Sequence, residues 1–161
     1  MEIIELYNIQ KELDKKIMTE HQLEGRNVVP EKILALQVEL GELANETRCF
    51  KYWSKKGPSE GKVILEEYVD CLHFILSIGL EKQYTDVEIE FNRDEETSTR
   101  LFIKVFGDIS NLYDNPSKEN YLILWKNFIL LGNTLGFTWE EVISAYLKKN
   151  EINHQRQLQG Y

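Results

Sequence analysis

Apolar residues recur with a helical period along most of this chain. Ile3, Leu6, Ile9, Leu13 and Ile17 form one stripe, which predicts a helix over residues 2–24 that Gly25 ends. Pro30 suits the first turn of a second helix, predicted over 31–52 and rich in Leu, Ala and Glu. Gly57-Pro58-Ser59 then breaks the pattern. A third helix is predicted over 60–80, and after Tyr68 it is apolar nearly all round, as in a helix buried at the centre of a bundle. Residues 82–96 are polar, with only Val87, Ile89 and Phe91 alternating briefly, and read as a loop or a short extended piece. Two further helices are predicted over 97–113 and 117–135, separated by Asn115-Pro116 and closed by Gly136. Thr138 with Glu141 has the spacing of a capping box that opens a sixth. The expected fold is an all-α antiparallel bundle of about six helices.

The 161 residues suffice for one domain with a real core, and one domain over 1–161 is expected. A net charge of −8 argues against a nucleic-acid partner, because phosphate neutralisation needs clustered Lys and Arg. A phosphate-bearing ligand would therefore need metal ions for much of its contact. Cys49 and Cys71 are too few for a disulfide framework and fall in helical, apolar stretches, which predicts buried, reduced thiols. Neither a signal peptide nor an apolar run of about 18 residues is evident, so a cytoplasmic protein without a membrane span is expected.

Acids interrupt the apolar helices at informative places. Glu39, Glu42 and Glu46 follow steps of three and four, so they share one helical face. Glu67 and Asp70 are again three apart, with His73 three residues later. The break at Gly57-Pro58 makes helices two and three a predicted antiparallel hairpin, and the two acidic pairs lie at comparable distances from it. Four carboxylates meeting at low dielectric repel one another unless cations neutralise them. Hard oxygen ligands so grouped suit Mg²⁺, which often carries a substrate phosphate. Acids on helix two alone would also fit a solvated amphipathic face; Asp70 and His73, on the most apolar helix, fit that reading poorly. At the other end of the chain, Lys149, Asn153 and Arg156 line one face of the sixth helix, and read as a phosphate contact or as a basic helix end favoured by the macrodipole.

Residues 37–46 (QVELGELANE), 50–54 (FKYWS), 66–74 (EEYVDCLHF) and 149–161 (KNEINHQRQLQGY), with 10–14 (QKELD), resemble the dimeric dUTPases of the all-α nucleoside triphosphate pyrophosphatase superfamily, of the phage and Gram-positive type. The match runs from end to end except over 82–135, which reads as a lineage-specific helical segment. The resemblance implies hydrolysis of dUTP to dUMP and pyrophosphate by water attack on the α-phosphorus. Glu39, Glu42, Glu67 and Asp70 would hold Mg²⁺ (or Mn²⁺ in its place), and Glu39 or Glu42, Glu39 favoured, would act as base. Spacing does not choose between the two. Lys149, Asn150, Asn153, Arg156, Gln157 and Tyr161 would close on the substrate. Gln10, Asp14, Trp53 and His73 would neighbour uracil and deoxyribose. On its own Gln10 reads as a surface residue of a helix, and Trp53 as ordinary packing at a helix end. Asp14 departs from the Asn found elsewhere in the family, so base selection is open, and a related enzyme taking dCTP as well, or a broader MazG-like enzyme, is the nearest alternative. A helical module binding basic partners through its acidic faces is the non-enzymatic one. The resemblance also implies a homodimer and, for phage-borne members, a repressor partner contacting 82–135. Apolar helix three and the runs Tyr121–Trp125 and Phe128–Leu131 of helix five suggest more apolar surface than one small bundle covers.

Overall fold

Most of the helices begin where a side chain can satisfy their first backbone N–H groups. In the computed structural model, which describes residues 1–91 and 95–161, α1 spans Ile3–Glu20, and the Glu5 carboxylate accepts from the Glu2 N–H at 2.7 Å. Helix α2 (Val29–Thr47) carries Pro30 in its first turn. Helices α3 (Gly61–Lys82), α4 (Ser98–Asp114) and α5 (Lys118–Thr134) follow, with Thr97 and Ser117 as side-chain N-caps of the last two. Helix α6 (Trp139–Leu158) opens with the expected capping box: Glu141 N–H donates to Thr138 Oγ1 at 3.2 Å, and Thr138 N–H to Glu141 Oε2 at 2.9 Å. The all-α bundle is as anticipated, and no strand occurs among the described residues.

The second helix is shorter than its pattern suggests. It stops at Thr47 rather than 52 because Arg48 turns left-handed, with φ +57°. The Arg48 guanidinium then donates to Ser54 Oγ at 2.9 Å and to the Lys56 carbonyl at 3.2 Å, folding the connection back on itself. Cys49 consequently lies beyond the helix end and is only half-buried, whereas Cys71 is buried as expected. Both are free thiols.

Helices α2 and α3 form the predicted antiparallel hairpin. At its open end Lys32 meets Glu81 at 2.8 Å, and at its closed end Ser59 donates to Glu46. Helix α3 is the central element and packs against α1, α2, α5 and α6, while α4 covers α2 and α5. The loop at 83–91 is pinned by buried Val87 and by Tyr84, whose hydroxyl donates to the Pro116 carbonyl at 2.8 Å. The apolar residues of helix five do not await a second subunit. Tyr121, Leu124, Trp125, Phe128 and Leu131 are buried within this one chain, Phe128 stacked on Tyr68 with centroids 4.2 Å apart. Only Leu122 and Ile123 of the apolar residues in that stretch are exposed.

Candidate active site

The hairpin brings the acids to one height. Oxygens of Glu39, Glu67 and Asp70 lie within 4.8 Å of one another, and the Glu42 carboxyl hydrogen-bonds that of Glu39. Each pair is spaced i, i+3, so both members of a pair leave the helix on the same side. Burial, then the charges of Asp70, Glu42 and Glu67, push the Glu39 pKa up to about 8. Glu67 and Asp70 are raised chiefly by burial as well, and Lys149, whose Nζ donates to Asp70 Oδ2 at 3.0 Å, pulls both back. Glu39 Oε2 is buried and has no hydrogen-bond partner. Mutually repelling carboxylates with an orphaned oxygen are the donor set that a hard divalent cation stabilises, so these residues fit the metal that the sequence implied.

Beside the cluster a cavity of about 510 Å³ opens between α1, α2, α3 and α6, large enough for a nucleotide. Glu39, Asp70, Lys149 and Arg156, with the neutral Asn153 among them, form its charged wall. Gln10, Asp14, His73 and Ser77 form a second, polar wall, and Leu13, Ile17 and Phe74 are apolar lining. The polar wall is one connected network. Gln10 Nε2 donates to Asp14 Oδ1 at 2.8 Å, Ser77 Oγ donates to Asp14 Oδ2 at 2.7 Å, and the Lys32 ammonium stands 3.8 Å from that second oxygen. Gln10 Oε1 accepts from the Tyr146 hydroxyl at 2.8 Å and lies 2.7 Å from His73 Nδ1. Burial, with the Lys149 charge adding to it, lowers the His73 pKa to about 3, so the imidazole is neutral near pH 7.

Several anticipated residues sit elsewhere. Gln10 is no surface residue, being only 3% exposed. Trp53 is 65% exposed in the connection after α2, packed edge-on to Phe50 and Tyr52, and lies away from the cavity. Asn150 faces inward, buried near Tyr146, with its Nδ2 unpartnered. Gln157 is tied to His21 at 3.1 Å, and the exposed Tyr161 ring lies under the Arg156 guanidinium, 5.1 Å from centroid to Cζ. Tyr146, Ser77 and Lys32 join the site without having been anticipated, and for Ser77 and Lys32 nothing in the sequence singles them out. Tyr146 stacks on His73 with centroids 4.4 Å apart, and its spacing of three and seven from Lys149 and Asn153 is the signal that places it on their face.

A family model described as dUTPase matches residues 2–161. The chain belongs to the dUTPase family. As a member of its all-α branch it hydrolyses dUTP, and the acidic hairpin beside a nucleotide-sized cavity is the part of the fold suited to that reaction. Among curated proteins, none matches the chain. No helix among the described residues of this dUTPase is long and apolar enough to cross a membrane.

The acid cluster gives the metal-free dUTPase an unusual pH dependence. Folded Glu39 keeps its proton up to about pH 8, against an ordinary value of 4.5, so the folded state binds more protons over that interval and loses stability as pH rises through it. His73 works in the opposite sense below its ordinary 6.5, because the fold resists protonating it. Between pH 6.5 and 8 the carboxylate acts alone of these two. Urea unfolding in EDTA should therefore give falling stability over this window, and a divalent cation bound by the carboxylates should remove the fall by holding them ionised. A flat or rising profile in EDTA would contradict it.

Proposed function

We propose that this chain is a Mg²⁺-dependent dUTP diphosphatase in which the cavity binds one dUTP, uracil against the polar wall and triphosphate against the charged wall. The observation that carries this reading is the cluster of Glu39, Glu67 and Asp70, two members of which, Glu39 and Asp70, line one cavity with Lys149, Asn153 and Arg156. Glu39, Glu42, Glu67 and Asp70 would hold the metal, Mn²⁺ being a chemically similar substitute. Bound there, the cation supplies neutralisation of charge on the phosphate oxygens.

The side chains do the rest. Glu39, raised to about 8 and with an unpartnered oxygen, orients the attacking water and takes its proton, with Glu42 sharing that proton through their hydrogen bond. The water oxygen bonds to the α-phosphorus, the bond from that phosphorus to the bridging oxygen breaks, and pyrophosphate leaves with dUMP retained. Arg156 offers a planar fork to the phosphates, and Lys149, paired with Asp70, is within reach of them. Asn150, Asn153, Gln157 and Tyr161 belong to the same C-terminal segment and are proposed to close over the substrate.

The six helices act as one domain, and two copies form a homodimer. What supports the dimer is not helix five but α2 and α4, where Leu34 (62% exposed) and Tyr113 (54%) share a groove and Val38 and Ile103 are exposed as well. A monomer by analytical ultracentrifugation would count against it. The exposed surface of the 82–135 segment is where a repressor partner would dock. Two free cysteines suit a reducing, cytoplasmic setting.

The reaction is tested by incubating the protein with each deoxynucleoside triphosphate and excess Mg²⁺, with and without EDTA, and resolving products by ion exchange. Release of dUMP and pyrophosphate from dUTP, abolished by EDTA, is the expected result. No turnover of any triphosphate by folded protein would overturn the proposal.

A further inference from the structure

The acidic hairpin already holds a cation of the chain's own. Lys149 reaches across from α6, and its Nζ lies 3.0 Å from Asp70 Oδ2, with the two side chains 20% and 19% exposed. Among the described residues this is the one ion pair that Glu39, Glu42, Glu67 or Asp70 makes. Asp70 is thereby claimed twice. It belongs to the group of oxygens, all within 4.8 Å of one another, that suits a divalent cation, and one of its own oxygens is bonded to an ammonium. Two cations on one carboxylate stand close together at low dielectric, where like charges repel strongly. Lys149 also has somewhere to go. It lines the nucleotide-sized cavity beside Asn153 and Arg156, which share its helical face. On its other side a second groove runs between α3 and α6, bounded by Leu65, Ala145, Ile152 and Lys149 itself. A lysine ammonium is a point charge on a flexible four-carbon stem, so it can change acceptors without moving the helix.

We propose that Lys149 is a resident counter-ion that competes with a divalent cation for Asp70 and, once displaced, turns to the phosphates at the cavity wall. Metal and nucleotide then promote one another's binding through this one side chain. The inference rests on the proposed function, which puts the metal at the acids and the triphosphate beside Arg156. The pair with Asp70 satisfies that carboxylate and keeps the ammonium from the phosphates. That contact must break before a divalent cation gains Asp70, which lowers the affinity of the protein alone for the ion. The nucleotide meets the converse cost, since without the metal it must draw Lys149 from Asp70. Each ligand removes the other's cost, and linkage makes the two gains equal. A plain charge effect makes a different forecast. The charges of Lys149 and Arg156 both act on Asp70, so on that account losing either should help the metal alike.

The test begins without any nucleotide, by calorimetric titration with Mn²⁺. Lys149→Met should bind the ion about tenfold more tightly than the parent, and Arg156→Met within about threefold of it. No gain in folded Lys149→Met, or an equal gain in both variants, would overturn the inference. A second arm needs no variant to fold: a crystal structure of the unsubstituted protein grown with Mn²⁺ alone should show Lys149 clear of Asp70. An ion bound at the acids with Lys149 still on Asp70 would overturn the inference too. The third arm uses α,β-imido-dUTP, which lacks the bridging oxygen at the scissile position. Lys149→Met should weaken its binding by about tenfold or more in Mg²⁺, and by no more than about threefold in EDTA. Equal losses in the two conditions would mean that Asp70 never withholds the lysine. Each of these failures leaves Mg²⁺-dependent hydrolysis of dUTP standing. Absence of Mn²⁺ binding by parent and variants alike would instead sink the proposed function, and this inference with it.

Discussion

Replacing Glu39 by Gln should lower kcat for dUTP by about a thousandfold, the middle of the range for removing a positioned general base, while leaving the fold intact or firmer. The two halves of that expectation have one cause. Glu39 stands among Glu42, Glu67 and Asp70, and its own Oε2 is buried without a partner, so the fold gains nothing from its charge. An amide of the same shape removes a repelling charge and brings N–H donors to neighbouring acceptors. In EDTA at pH 8, where the ionised cluster is least comfortable, the variant should unfold at equal or higher urea than the parent. A structural role for Glu39 predicts the opposite pairing, with stability lost and residual activity tracking the folded fraction. Steady-state rates beside urea curves separate the two.

Gly79→Ala should cost about 2–4 kcal/mol of stability, although Ala is the better helix former by about 1 kcal/mol. A Cβ at position 79 would run into the Tyr121 hydroxyl and lie 2.6 Å from the ring carbon that bears it. That hydroxyl cannot step aside cheaply. It donates to the Ile75 carbonyl at 2.8 Å and is 2.6 Å from the Tyr7 hydroxyl, which Trp125 Nε1 reaches at 3.1 Å. Displacing the ring leaves buried polar groups unpaired, at about 1–3 kcal/mol for each lost partner. Tyr121→Phe does not rescue the variant, since the ring carbon still collides. Gly107, on α4, has nothing within 4 Å of the place a methyl group would take, and should respond in the opposite sense, gaining up to about 1 kcal/mol on substitution by Ala. Urea denaturation of the pair at one pH decides the matter, and a Gly79→Ala protein as stable as its parent would refute the close packing of α3 on α5.

Local repetition made the helices and the acidic pairs legible in the sequence. Helical spacing placed the six helices, the Thr138–Glu141 box opened α6 where expected, and two i, i+3 acidic pairs at comparable distances from Gly57-Pro58 met across the hairpin. The end of α2 was not legible, because Cys49, Phe50 and Tyr52 continue an apolar rhythm past a left-handed Arg48 that no glycine announces. The polar wall was hidden for a different reason. Its bonds join Gln10 to His73 and to Tyr146, residues 63 and 136 positions apart, and nothing local distinguishes a buried Gln on an amphipathic helix from a solvated one. Asp14 has the look of a partner for the base in the sequence; in the fold its two oxygens are spent on Gln10 and Ser77. Trp53, singled out by the resemblance, lies in an exposed connection whose course depends on the Arg48 bonds to Ser54 and Lys56 rather than on any periodic pattern.

In the proposed reaction the acidic hairpin delivers water to the α-phosphorus of dUTP. Hydrolysis in ¹⁸O-labelled water, followed by mass analysis of both products, tests it most directly. The expected result is one labelled oxygen in dUMP and none in pyrophosphate, at a rate that collapses in Glu39→Gln without a change in where the label goes. Label in pyrophosphate, or in released monophosphate, would mean attack at another phosphorus and would contradict the placement of the triphosphate against Glu39.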